Sequence, residues 1–187
     1  VIPTLPLAAR DRLAALVLAA VGDAGVRASL GTLADEHAAA EWLGASAAGH
    51  AALASRRAAA AATALAALPA APVRSLPEAL AVAAALVDAG LGFEAHEVLE
   101  PYWAREEGEP RETLQGLIQI AVGYQHAANG NLAGARMLLA EGAARVAPRR
   151  LSGLPLDGFA QAVRASLKDP AAPGRPRFPR PASPQQP

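Results

Sequence analysis

The sequence predicts an all-α protein: a helical bundle with a disordered Pro-rich C-terminal tail. Three observations carry this. No segment sustains the two-residue alternation of a half-buried strand, and β-branched residues are sparse. Hydrophobic residues make up 52% of 187, and much of that fraction is alanine, the best helix former. Alanine buries little area per residue, so it favours closely packed helices over a core of large side chains. From Asp169 the chain reads DPAAPGRPRFPRPASPQQP, a composition expected to stay disordered or polyproline-like rather than join a core.

Helical periodicity places helices at 7–21, 31–43, 46–68, 76–89, 93–106, 111–128, 131–146 and 156–168. The first is apolar over Leu13–Val21 but short and flanked by Asp11 and Asp23, which argues against a signal peptide. Residues 54–68 are alanine-rich and read as one long helix, and PAAPVRS at 69–75 reads as a linker. The chain accordingly divides into an N-terminal helical region (1–70), a bundle core (76–168) and the tail (169–187). Ser75 before Leu76-Pro77-Glu78 caps the next helix, with proline in its first turn. Pro110 opens the helix at 111–128, and Asn129-Gly130-Asn131 ends it with a left-handed glycine and caps its successor. That short connection predicts an antiparallel hairpin of 111–128 and 131–146.

Lysine plus arginine and aspartate plus glutamate both number 17, so no global charge draws the chain to nucleic acid or anionic membrane. The pairs Arg56-Arg57 and Arg149-Arg150 read as solvated helix ends. No cysteine is present, which excludes disulfides, zinc–thiolate sites and thiol nucleophiles. No apolar run reaches the roughly 20 residues a membrane span needs. These features together predict a cytoplasmic protein.

Chemistry is concentrated in GFEAHEVLEPYW, residues 92–103. On a helical wheel Phe93, His96, Glu97, Glu100 and Trp103 share one arc of about 120°. His96 and Glu100 lie four residues apart, one turn from each other. Two such side chains can hold a metal ion, or the carboxylate can orient the imidazole as a base. On the helix at 111–128, Gln115, Gln119, Val122 and His126 fall within about 60° of one another. Buried polar groups need partners, so the expected arrangement packs the two helices antiparallel. His96, Glu97 and Glu100 would then face Gln115, Gln119 and His126 across a polar pocket capped by Phe93 and Trp103. A divalent cation or a small polar ligand is the expected occupant. The same residues equally suit a buried hydrogen-bond network that only fixes helix packing in a non-enzymatic interaction protein. Alanine-rich faces at 31–68 would in that case offer a homodimer surface. His37 and Glu41 repeat the four-residue spacing before Trp42 and read as a solvated helix face. No nucleophile motif or phosphate loop narrows the reaction; metal-assisted hydrolysis is the easiest chemistry to draw.

FEAHEVLEPYW, then LQGLIQIAVGYQHAANGN, then LAGARMLL, in that order, resembles the domain of unknown function 309 family. Its H-x-x-x-E-x-x-W/Y hallmark is met by His96, Glu100 and Trp103, and its second signature by Gln115 through Asn131. The resemblance covers roughly 78–148. It implies a small all-α bundle and a suggested metal-binding role for the His/Glu motif, with no established reaction. Pro101 departs from the family pattern. Proline there removes the hydrogen bond to the Glu97 carbonyl, so the helix is expected to kink or end near Glu97–Pro101, freeing that carbonyl as a further ligand. Residues 1–70 find no support in the resemblance.

Overall fold

The computed structural model describes residues 4–181. Among these, α-helices dominate: α1 (Leu7–Gly22), α2 (Ala24–Thr32), α3 (Glu36–Leu43), α4 (Ala51–Ala66), α5 (Leu76–Asp88), α6 (Gly92–Trp103), α7 (Gly108–Ala128), α8 (Leu132–Val146) and α9 (Asp157–Ser166). Two short strands, β1 (Arg150–Leu151) and β2 (Leu154–Pro155), pair antiparallel between α8 and α9. Ser152 and Gly153 turn that hairpin with φ of 49° and 81°, the left-handed pair a two-residue hairpin needs. The all-α class is as expected, and no described helix is long and apolar enough to cross a membrane.

Local signals placed several boundaries. Ser75 and Glu78 form a reciprocal capping box with Pro77 in the first turn of α5. The Glu78 carboxyl is held below its usual range by hydrogen bonds from the Arg74 and Ser75 backbone. Gly130 adopts φ 77° after α7, and the Asn131 side chain accepts from Gly134 N–H to start α8. The region expected as one helix from 31 begins earlier and divides. Asp23 accepts from Val26 N–H to start α2, and Asp35 accepts from Ala38 N–H to start α3. Two aspartate caps twelve residues apart, Asp23 and Asp35, thus set boundaries that periodicity alone blurred.

One buried apolar cluster includes Leu13 and Val17 of α1, Leu65 of α4, Leu80 and Leu86 of α5, Leu99 of α6, Leu117 of α7 and Leu139 of α8. Ala58 and Ala61 of α4 belong to it, while Ala54 is buried in a second cluster with Ala9, Ala39, Leu43 and Ala51. Arg27 fastens the α1–α2 corner to the end of α4 by donating to the carbonyls of Ala20, Val21, Leu65 and Leu68. In the α7–α8 hairpin, helices approach through glycine: a Cβ on Gly116 would lie 2.9 Å from Gly142 O, and one on Gly123 2.9 Å from Leu139 Cγ.

The proline-rich segment corrects one expectation. Residues 169–181 form no helix or strand, yet Phe178 is buried in the core and packs edge-on against Phe159 at 5.6 Å. Its N–H donates to Asp88 Oδ1, and Arg180 pairs with Asp88 Oδ2. One aromatic among prolines supplies enough apolar area to dock an otherwise polar segment. The expected disorder of 182–187 falls outside the described residues.

Candidate functional site

Helix α6 has two contrasting sides. Gly92, Glu94, Ala95, Val98 and Leu99 are buried, while Phe93, His96 and Glu97 are half-buried and Glu100 is exposed. Gly92 opens the helix where a Cβ would overlap the Ala121 carbonyl of α7. At the other end Arg111 of α7 donates to Trp103 O and stacks 3.9 Å over the Trp103 ring. The two helices are therefore antiparallel neighbours, as expected. Pro101 lies inside α6, which continues to Trp103 and stops there; one missing N–H is tolerated because only two residues follow.

His96 stands between two carboxylates. Nδ1 lies 3.4 Å from Glu97 Oε1, and Nε2 lies 3.8 Å from Glu100 Oε2. One ligand atom from each of the three residues falls within 4.8 Å of the others. Two carboxylates around one imidazole attract a cation electrostatically, and an imidazole with two oxygens is a donor set suited to a divalent transition metal. The group is open to solvent, with side chains 27%, 33% and 50% exposed, so bound water would complete any coordination shell.

The other expected residues do not close one pocket over this trio. Gln119 turns to α8, where its Nε2 donates to Glu141 Oε2 at 2.9 Å and its Oε1 is buried without a partner among the described residues. The reason is steric: Gln119 lies between Gly116 and Gly123, on the stripe where α8 comes closest. Gln115 is half-buried and makes no side-chain hydrogen bond among the described residues. Trp103 sits at the far end of α6 under Arg111. His126 lies outside the trio; its Nδ1 meets Asn131 Nδ2 at 2.7 Å. The polar side of α6 looks instead toward α1, where Arg10, Asp11, Ala14 and Leu18 share a shallow recess with Phe93 and Glu97.

Phe93 and His126 do meet, at a different place. They line a cavity of about 360 Å³ together with Arg10 of α1, Arg57 of α4 and Gln125 of α7. Arg10 stacks 4.2 Å over the Phe93 ring, and Phe93 meets the His96 ring edge-on at 6.2 Å. Behind the cavity, Glu94 is completely buried, and both its oxygens accept from Arg57 Nη2 at 2.9 Å. Arg57 is therefore not the solvated helix end its sequence suggests, although Arg56 is exposed. Reading only the polar arc of α6 overlooked Glu94. The available signal was its position on the wheel beside Ala95 and Val98, where a carboxylate demands a cation. His37 and Glu41 behave as the sequence indicated: they pair at 3.4 Å on a solvated face, 85% and 72% exposed.

No curated protein and no solved structure matches this chain. A family model described as Domain of unknown function (DUF309) matches residues 80–138. That span takes in most of α5, all of α6 and α7 and the start of α8, including the His96–Glu97–Glu100 trio and His126. Residues 80–138 are thus similar to that family, and the trio lies inside the matched span.

Proposed function

We propose that this protein binds a divalent cation through His96, Glu97 and Glu100. The observation that carries the reading is the convergence of an imidazole and two carboxylates within 4.8 Å on one turn of α6. Three protein ligands leave positions for water, as in hydrolytic metal sites rather than closed structural ones. A metal bound there would act as a Lewis acid and lower the pKa of its water. The residues themselves hold and orient: Phe93 packs against the His96 ring, and the recess beside α1 gives a small substrate access to Glu97.

The test is metal content and affinity. Purified protein is stripped with EDTA and titrated calorimetrically with zinc, then manganese. One equivalent should bind, and His96→Ala or Glu100→Gln should weaken binding at least tenfold. Absence of stoichiometric binding, or binding indifferent to both substitutions, overturns the proposal. The competing structural reading, in which the trio only fixes helix packing, predicts instead a large stability loss for His96→Ala in metal-free protein.

A further inference from the structure

The last turn of α1 meets α6 and the proline-rich segment 69–73, and a groove opens where the three come together. One part of it, about 320 Å³, is walled by Leu18 and Gly22 of α1, Pro72 and Val73 of the segment, and Val98 and Pro101 of α6. A second part, about 210 Å³, lies beside the same segment against Leu68, Ala81 and Val82. Val21, Pro72 and Val73 line both parts, so the two are continuous. Their joint size suits a small molecule. The shape has local causes. Pro69 and Pro72 keep the segment out of a helix, and Ala19 and Gly22 leave the end of α1 without bulk. Pro101 puts an apolar ring on this wall of α6 where most helix surfaces carry a polar side chain.

Charge distinguishes the two ends. Residues 76–131 hold two basic residues, Arg105 and Arg111, against nine acidic ones. Arg111 is engaged with Trp103. Arg105 is exposed, lines the first part of the groove, and pairs with no carboxylate among the described residues. Tyr102 lines the same part and donates to Val73 O at 3.4 Å, a long bond that a charged acceptor would displace. The second part has one charged lining residue, Glu78, whose Oε2 already accepts from the Arg74 and Ser75 N–H groups. Between Arg105 and Glu78 every other lining residue except Tyr102 is apolar.

From an apolar groove with one unpaired cation at one end, we infer that this site binds a free fatty acid of medium chain length. The carboxylate lies against Arg105 and the Tyr102 hydroxyl. The chain runs past Leu18 and Pro101 and ends between the 69–73 segment and Val82. Direction follows from charge, because Glu78 repels a carboxylate placed at its end. Burial of methylene groups supplies the affinity, and Arg105 selects the head group.

Calorimetric titration of the EDTA-treated full chain with octanoate tests this. Working without metal means that the groove and the His96 trio can fail separately. Octanoate should bind saturably in the millimolar range or tighter. Octanol, which lacks the charge, and octanedioate, which brings a second carboxylate to Glu78, should each bind roughly fivefold more weakly or worse. Butanoate should bind far more weakly still, having lost half of the chain. Arg105→Gln should weaken octanoate roughly fivefold or more and leave octanol unchanged. Ala81→Leu fills the second part of the groove and should weaken octanoate more than hexanoate. Circular dichroism would verify that both variants stay folded. No saturable octanoate binding, equal binding of octanol, octanedioate or butanoate, or octanoate affinity unchanged in Arg105→Gln would each overturn the inference.

Discussion

Glu94 and Glu97 lie three residues apart on α6 and meet opposite fates. Glu94 is sealed from solvent and receives two hydrogen bonds from one arginine nitrogen. Glu97 is one-third exposed and rests 3.4 Å from an imidazole that another glutamate also approaches. The inner carboxylate has its counter-charge supplied by the chain. The outer pair has two negative charges and one imidazole, which leaves room for a cation from solution. Residue type is the same on both sides; the partner and its burial decide whether the carboxylate is satisfied inside the fold or left open to solvent.

The comparison is broken most forcefully from the inside. Glu94→Ala or Arg57→Ala should destabilise the protein by about 3–5 kcal/mol, because each leaves an uncompensated buried charge. The double substitution Arg57→Met with Glu94→Leu should recover most of that loss, as urea denaturation midpoints would record. If Glu94→Ala were nearly neutral, the inner carboxylate would not be a structural anchor.

A second substitution moves the helix rather than a charge. Gly92→Ala would force a Cβ onto the Ala121 carbonyl, and the expected cost is about 1–3 kcal/mol. Gly158→Ala is the control: it lies in α9 with nothing within 4 Å of a new Cβ and should be stabilising by about 0.4–1 kcal/mol. Equal melting-temperature shifts for the two variants would mean that α6 does not touch α7 as closely as its first turn implies.

Tyr124 adds a third case, an ionisable group that stays neutral inside. Burial raises its pKa above the ordinary 10.0, while hydrogen bonding with Ser166 and the charge of Arg175 oppose the shift. The folded state therefore keeps the phenol proton to higher pH than the unfolded chain. The stability from this group is fully present below about pH 10 and is lost as pH rises through the folded-state pKa. Urea unfolding between pH 9 and 11 should show that decline, and Tyr124→Phe should flatten it. A profile unchanged in Tyr124→Phe would place the alkaline sensitivity elsewhere.

What could be read from the sequence divides along the same line as the two glutamates. The capping box at Ser75–Glu78, the Asn129-Gly130-Asn131 turn and the His96–Glu100 spacing are local, set by residues within a turn of one another. They carried α5 to α8 and the core of the trio. The Glu94–Arg57 pair joins residues 37 apart, and Gln119 meets Glu141 across 22. Which face of a helix meets which neighbour depends on packing that no single window contains. Gly116 and Gly123 were visible as residues, but their effect, drawing α8 onto the stripe that includes Gln119, was not. Of the α7 polar stripe, Gln119 therefore faces α8, while His126 shares a cavity with Phe93 of α6. Phe178 escaped notice because composition describes a segment, whereas docking here depends on one side chain.

The smallest expected effect is the most discriminating for the outer face. His96, Glu97 and Glu100 keep access to water, so solvent screens their mutual interactions and can replace each hydrogen bond. In metal-free protein, His96→Ala should therefore change stability by no more than about 0.5–1 kcal/mol. Repeating the urea titration with saturating zinc should enlarge the gap between wild type and variant, since a cation that binds only the folded state stabilises it by mass action. A loss of several kcal/mol without metal would make the outer face as structural as the inner one and dissolve the distinction between Glu94 and Glu97. A small metal-free effect that grows with zinc would mark the trio as a site kept for something other than holding α6 in place.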